Sequence, residues 1–219
     1  MRGGFHSFTD LPDTMPVFPL TGVLLLPRAA LPLNVFEPRY LELVDDALKG
    51  NRLIGMIQPA ESEDTVLRPK LSQVGCAGRI ISWRENEDNR YLITLAGLCR
   101  FRVRQEISVL SAYRQVACDF KPFAADLAQS SEDGEFPRER LLTALKDYLS
   151  RRDMKADWKS VMSAPAESLV NALAMMCPFE PAEKQALLEA PNWIDRVSTL
   201  VALLEISTAG QGQGPGTLN

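Results

Sequence analysis

A single histidine, His6, stands in this chain. Ser-His-Asp or Cys-His catalysis requires a base held rigidly against its nucleophile, and His6 lies in the tail ahead of the first strand. The four cysteines, Cys76, Cys99, Cys118 and Cys177, are 23, 19 and 59 positions apart. That leaves no Cys-x-x-Cys pair, and there is no His-Glu-x-x-His, so zinc is unsupported. The cysteines read as reduced core thiols, with one or two disulfides as the alternative. A phosphate loop needs Gly-x-x-x-x-Gly-Lys-Ser/Thr. The nearest stretch, Gly75-Cys76-Ala77-Gly78-Arg79, lacks the spacing and the lysine, and its glycines suit a bend or bulge in a curved strand.

Charged groups offer little more. Asp45-Asp46 and the Glu85, Glu87, Asp88 set fall on a helix exterior and a hairpin tip, which are solvated positions. Arg100, Arg102 and Arg104 form a strip that could meet phosphate or an acidic partner. The same strip could equally be the wet face of a half-buried strand, paired with nearby glutamates and guarding an edge. The segment Leu31-Pro32-Leu33-Asn34-Val35-Phe36-Glu37-Pro38-Arg39-Tyr40 also has two readings. Glu37 and Arg39 can fix a strand-to-helix joint, or the segment can be a rigid groove wall presenting Phe36 to a peptide.

These residues sit in a chain of 219 with 46% hydrophobic and 24% charged residues and a net charge of -4. Such a composition supports a sizeable core and argues against a general nucleic-acid coat or a polybasic membrane binder. No signal peptide or membrane-length apolar run is visible, so the expected location is the cytoplasm. Residues 1–120 carry 14 basic and 14 acidic side chains, whereas 121–219 carry 10 and 14. The texture changes at the same place, from short β-type runs to helical spacing.

The expected organisation is a flexible tail over 1–13, a β subdomain over 14–120, a linker over 121–135, a helical subdomain over 136–206 and a disordered tail over 207–219. Strands are expected at Met15–Leu20, Leu53–Gln58, Ser72–Trp83, Tyr91–Gly97, Cys99–Ile107 and Tyr113–Phe120. Together they suggest a small closed or nearly closed barrel. Pro38 opens a helix whose shared face carries Tyr40, Leu41, Val44, Ala47 and Leu48, and Gly50 ends it in a left-handed conformation. Later helices are expected at 137–151, 166–176, 181–190 and 192–206, the last capped by Asn192. The fold class is α+β.

Phe18-Pro19-Leu20, Val23-Leu24-Leu25-Leu26-Pro27 and the Leu31–Tyr40 segment resemble the N-terminal, substrate-binding domain of Lon proteases. Gly55-Met56-Ile57-Gln58, Val74–Ile80 and Leu95–Val103 extend the likeness over roughly 14–120, and Lys184–Glu189 with Arg196–Leu200 continue it more weakly. The resemblance implies a PUA-like β-barrel subdomain followed by a helical bundle, in a stand-alone protein of this kind. It implies no catalytic residues, because the family's ATPase and Ser-Lys protease modules are not matched here.

The expected function is therefore a non-catalytic interaction module that binds unfolded or apolar polypeptide, with a protease or chaperone as a further partner. Phe36, Tyr40, Met56 and Trp83 are the candidate peptide contacts, and neither cofactor nor metal is implied. The alternatives are a PUA-like RNA-binding module, resting on Arg100, Arg102 and Arg104 and disfavoured by the acidic balance, and a small-ligand binder or enzyme with an unfamiliar pocket, disfavoured by the missing general base.

Overall fold

The structure, a computed structural model, describes residues 7–60, 68–86, 88, 90–128 and 136–209. Two compact units emerge: residues 1–129 with 179–188, and residues 130–178 with 189–219.

The first unit is built on six strands: β1 (Thr14–Pro19), β2 (Ala30–Val35), β3 (Leu53–Ile57), β4 (Val74–Glu85), β5 (Tyr91–Ile107) and β6 (Arg114–Asp119). They form one sheet in the order β2-β5-β4-β3-β1-β6, and β6 also pairs with β5. Only β1 and β3 run parallel. β2 is not among the strands expected from the sequence, and it contains Pro32. It survives because β2 pairs with β5 alone, and an edge position has no use for the missing N–H. The two expected strands on either side of Leu98 are one continuous β5 of 17 residues.

β4 is irregular in two places. The register against β5 shifts between Ala77 and Gly78 and again between Ile80 and Ser82, as expected for the glycine-containing stretch. Gly97 marks a close approach: a Cβ there would stand 2.0 Å from the Leu26 carbonyl oxygen. Leu24, Leu25 and Leu26 are all buried and fill the core with Met15, Ile54, Ile80, Leu95 and Phe101.

Helix α1 (Pro38–Lys49) lays its apolar stripe, Tyr40, Leu43, Val44 and Ala47, into this core. The Tyr40 ring stacks on Phe18 with centroids 3.9 Å apart, and its hydroxyl donates to the Pro19 carbonyl. Gly50 does close α1, but with φ -106°. The left-handed residue of the turn is Arg52, at φ 63°.

Two stretches expected to be loose are ordered where described. Ser7 caps a 3-10 turn at Phe8–Asp10, and Leu11 is buried. Lys121–Leu127, placed at the head of the expected linker, is a 3-10 helix burying Phe123 and Asp126. Residues 129–135 and 210–219, where the remaining linker and tail expectations fall, lie outside the described residues, as does His6.

Helix α5 (Pro181–Glu189) also joins the first unit through residues 179–188, although its spacing reads like that of the other helices. Polar contacts explain this. Gln58 Nε2 donates to the Pro181 carbonyl and to Gln185 Oε1, Lys184 Nζ to the Gly22 carbonyl, and Gln185 Nε2 to the Val74 carbonyl.

The second unit contains α2 (Arg138–Arg151), α3 (Trp158–Ser163), α4 (Ala166–Met176) and α6 (Trp193–Ala209). Leu141, Leu145, Tyr148 and Leu149 of α2 and Val197, Leu200, Val201 and Leu204 of α6 are buried. The short α3 escaped the sequence reading because one and a half turns show no apolar period. It is held by its ends: Asp157 accepts from the Lys159 and Ser160 amides, and Arg138 Nη2 donates to the Val161, Met162 and Ala164 carbonyls. Asn192 Oδ1 accepts from the Asp195 amide at 3.0 Å, the expected cap. α6 runs on to Ala209, past the expected start of a loose tail.

Candidate functional site

Among the described residues, no group of three or more His, Cys, Asp or Glu side chains could hold a metal ion. All four cysteines are buried thiols outside any disulfide. Burial is the main cause that pushes the Cys99 and Cys118 thiols up to about 12, so neither supplies a thiolate nucleophile near neutral pH.

The candidate peptide contacts divide sharply by exposure. Tyr40 is 4% exposed and Met56 2%, so both side chains belong to the core. Tyr40 already lay on the periodic face of α1, and Met56 sits in β3, every residue of which is buried. Phe36 and Trp83, in contrast, are 58% and 51% exposed.

The sheet register relates these two. Val35 pairs with Tyr91 and Leu33 with Ile93, while Glu85 pairs with Tyr91 and Trp83 with Ile93. Phe36 and Trp83 therefore stand at the same end of three adjacent strands, separated by about 10 Å in the hydrogen-bonding direction. A groove of about 510 Å³ crosses these strands, lined by Pro32–Asn34 of β2, Ser82–Arg84 of β4 and Leu92–Thr94 of β5. Leu92 is exposed, and so is Ile81, the residue left over at the second register shift of β4. A bulge re-aims a side chain in this way, which no alternation count reveals.

Fixed aromatic contacts shape the groove end. Trp83 meets Tyr91 edge to face at 6.2 Å between centroids. Tyr91 donates its hydroxyl to Asp45 of α1 at 2.7 Å, a hydrogen bond that helps push its pKa to about 12. The Arg90 guanidinium lies 5.7 Å from the centre of the Phe36 ring. Beside it, Glu37 accepts from Arg39 Nε at 2.9 Å, but both side chains are close to half exposed. That pair braces a surface joint; Glu37 makes no side-chain cap to α1.

The arginine strip does not act as a unit. Arg100 is buried, with Nε 2.8 Å from Asp126 Oδ2 and Nη2 2.9 Å from Oδ1. Alternation had placed it on the wet face; Asp126, 26 positions away, draws it inward. Arg104 pairs with Asp119, and Arg102 alone remains exposed without an ion pair among the described residues.

Known proteins carry the same fold and pattern. The family model for the ATP-dependent protease La (Lon) substrate-binding domain matches residues 14–205. Lon protease 2 of Thermus thermophilus is 26% identical over 203 residues, 91% of this chain and 25% of that protein. Lon protease 2 of Myxococcus xanthus is 28% identical over 213 residues, 92% of this chain and 24% of that protein. The chain thus spans about a quarter of the length of these relatives. Among solved structures, the N-terminal domain of a Mycobacterium avium complex Lon protease superposes with a TM-score of 0.59 at 16% identity, covering 90% of this chain and 99% of that one. A Lon N-terminal domain protein from Xanthomonas campestris gives 0.57 at 25% identity, covering 86% and 97%. The chain belongs to the Lon substrate-binding domain family. No described helix is long and apolar enough to cross a membrane.

Proposed function

We propose that this chain is a non-catalytic interaction module that binds unfolded or apolar polypeptide segments across the groove of the first unit, as an adaptor or regulator of a protease. The observation that carries the reading is the groove itself, lined by exposed Trp83 and Leu92 with exposed Phe36 just past the end of β2, in a chain of the substrate-binding family. Such a groove suits an extended peptide, whose apolar side chains leave water at Trp83 and Leu92 while Asn34, Ser82 and Thr94 serve its backbone. The ring of strand pairings that returns from β6 to β5 is, on this reading, a small PUA-like barrel serving as a rigid scaffold. Four buried thiols outside any disulfide fit a reducing compartment, in accord with a place in the cytoplasm.

The test is fluorescence anisotropy with a labelled, permanently unfolded apolar polypeptide and a single-stranded RNA. Phe36→Ser and Trp83→Ser should each weaken polypeptide binding about tenfold, a loss of about 1.4 kcal/mol, and the binding should survive added salt. Unchanged affinity in both variants would remove the groove from the reading. RNA binding that collapses with salt would replace it by a nucleic-acid module.

A further inference from the structure

The second unit carries an apolar groove that the reading above does not use. It opens between the C-terminal part of α2, α3 and α4, with a volume of about 460 Å³. Leu145, Leu149, Leu169 and Leu173 line it. Met154 and Met176 border it and are 43% and 80% exposed. A contiguous apolar concavity of this kind marks a docking surface, and flexible thioethers adapt to the side chains of a partner.

Charge narrows the occupant. Residues 151–159 hold Arg151, Arg152, Lys155 and Lys159 against Asp153 and Asp157, a local balance of +2 in a chain whose net charge is -4. Lys155 lines the groove, and neither it nor Lys159 has an ion-pair partner among the described residues. Asp157, the one carboxylate in the lining, is committed to its own helix. It accepts from the Lys159 and Ser160 amides and, at 2.6 Å, from the Ser160 hydroxyl.

Geometry narrows it further. α4 has 11 residues and offers a wall about 16 Å long, the length of about three turns of a partner helix. Such a helix seats its i, i+3, i+4 and i+7 side chains in a groove and leaves its flanks to meet exposed Lys155 of the lining and exposed Lys159 four positions on. We infer that this groove docks an acidic amphipathic helix of a partner protein, its apolar stripe in the groove and its carboxylates on Lys155 and Lys159. Its lining shares no residue with that of the groove at Trp83.

The test uses the whole chain and two labelled peptides of about 14 residues (about four turns). Both carry leucines at helical spacing; one has glutamates at the remaining positions, the other lysines. The glutamate peptide should bind about tenfold or more tighter at low salt, with the margin shrinking as salt rises. Ala172→Glu, at an exposed position lining the groove, should weaken it about tenfold. Lys155→Glu with Lys159→Glu should invert the preference. Circular dichroism melting confirms that each variant is folded. The inference is overturned if the two peptides bind alike or not at all, or if folded variants bind like the parent. It is equally overturned if the unfolded apolar polypeptide displaces the glutamate peptide in a manner sensitive to Ala172→Glu, because the groove would then be a general polypeptide site.

Discussion

Arg100 brings together three elements by one side chain. Its guanidinium grips both oxygens of Asp126, its backbone N–H donates to the same carboxylate, and Nη1 donates to the Leu188 carbonyl. Removing one member of a buried pair leaves an uncompensated charge, at a cost of about 3–5 kcal/mol. Urea unfolding should show a loss of that order for Arg100→Ala and for Asp126→Ala. Arg100→Met combined with Asp126→Leu should recover most of it, since neither charge is then stranded. Equal losses in the double and single variants would show that the pair is not the cause. None of this is readable locally, since β5 alternates as a half-buried strand should and only the folded chain brings Asp126 beneath it. Two thiols and two phenols are shifted in the same direction. Burial raises Cys99 and Cys118, the Asp45 hydrogen bond raises Tyr91, and burial with the Asp46 hydrogen bond raises Tyr113, each to about 12. The unfolded chain releases these protons first, from about pH 9 upward. Stability from this source is therefore complete below about pH 9 and is lost as pH rises toward 12. The urea midpoint should fall over that window, and less steeply in a Tyr91→Phe, Tyr113→Phe variant.

The elements are positioned by close approaches more than by propensity. At Gly97 of β5, an added Cβ would meet the Leu26 carbonyl oxygen at 2.0 Å and its carbon at 2.8 Å, both backbone atoms with no rotamer to move. Gly55 of β3 would place its Cβ 3.0 Å from the ends of the Met15, Val17 and Phe101 side chains, which can give way. Gly97→Ala should therefore cost about 3 kcal/mol or more, and Gly55→Ala nearer 1 kcal/mol. Thermal and urea unfolding compare the two, and equal costs would sink the distinction. Gly97 also shows why element boundaries were partly hidden in the sequence. A glycine between two apolar runs reads as punctuation, yet here the strand runs through it, because Gly97 bonds to Ala29 and Arg28. Helix α1 is the opposite case. Its 3.6-residue period places Tyr40 on the buried face, which is where the structure has it. Phe36 and Trp83 are different again, since an exposed aromatic leaves no periodic trace beyond its flanks.

Over the whole molecule, the two units do not follow chain order. Leu187 and Leu188 are buried, and α5 supplies the first unit with the Gln58, Lys184 and Gln185 hydrogen bonds and with the carbonyl that receives Arg100 Nη1. Helical spacing groups α5 with its sequence neighbours; the polar groups that assign it elsewhere are spread over Gly22, Gln58, Val74 and Arg100, and no pattern along the chain links them. A fragment spanning 7–128 should consequently be a poor stand-in for the first unit. Each intramolecular hydrogen bond is worth about 0.5–1.5 kcal/mol, and losing the acceptor of a buried arginine costs more than losing a neutral pair. The fragment should be destabilised by about 3 kcal/mol or more relative to one in which residues 179–188 are fused back by a flexible linker. Urea unfolding followed by near-ultraviolet circular dichroism would read both. Should the short fragment match the fused one, the contacts of α5 would be accessory and the boundary near residue 120 suggested by composition would be the physical one. Should only the fused fragment fold, the first unit is completed by a helix that the chain delivers about 50 residues later, after α2, α3 and α4.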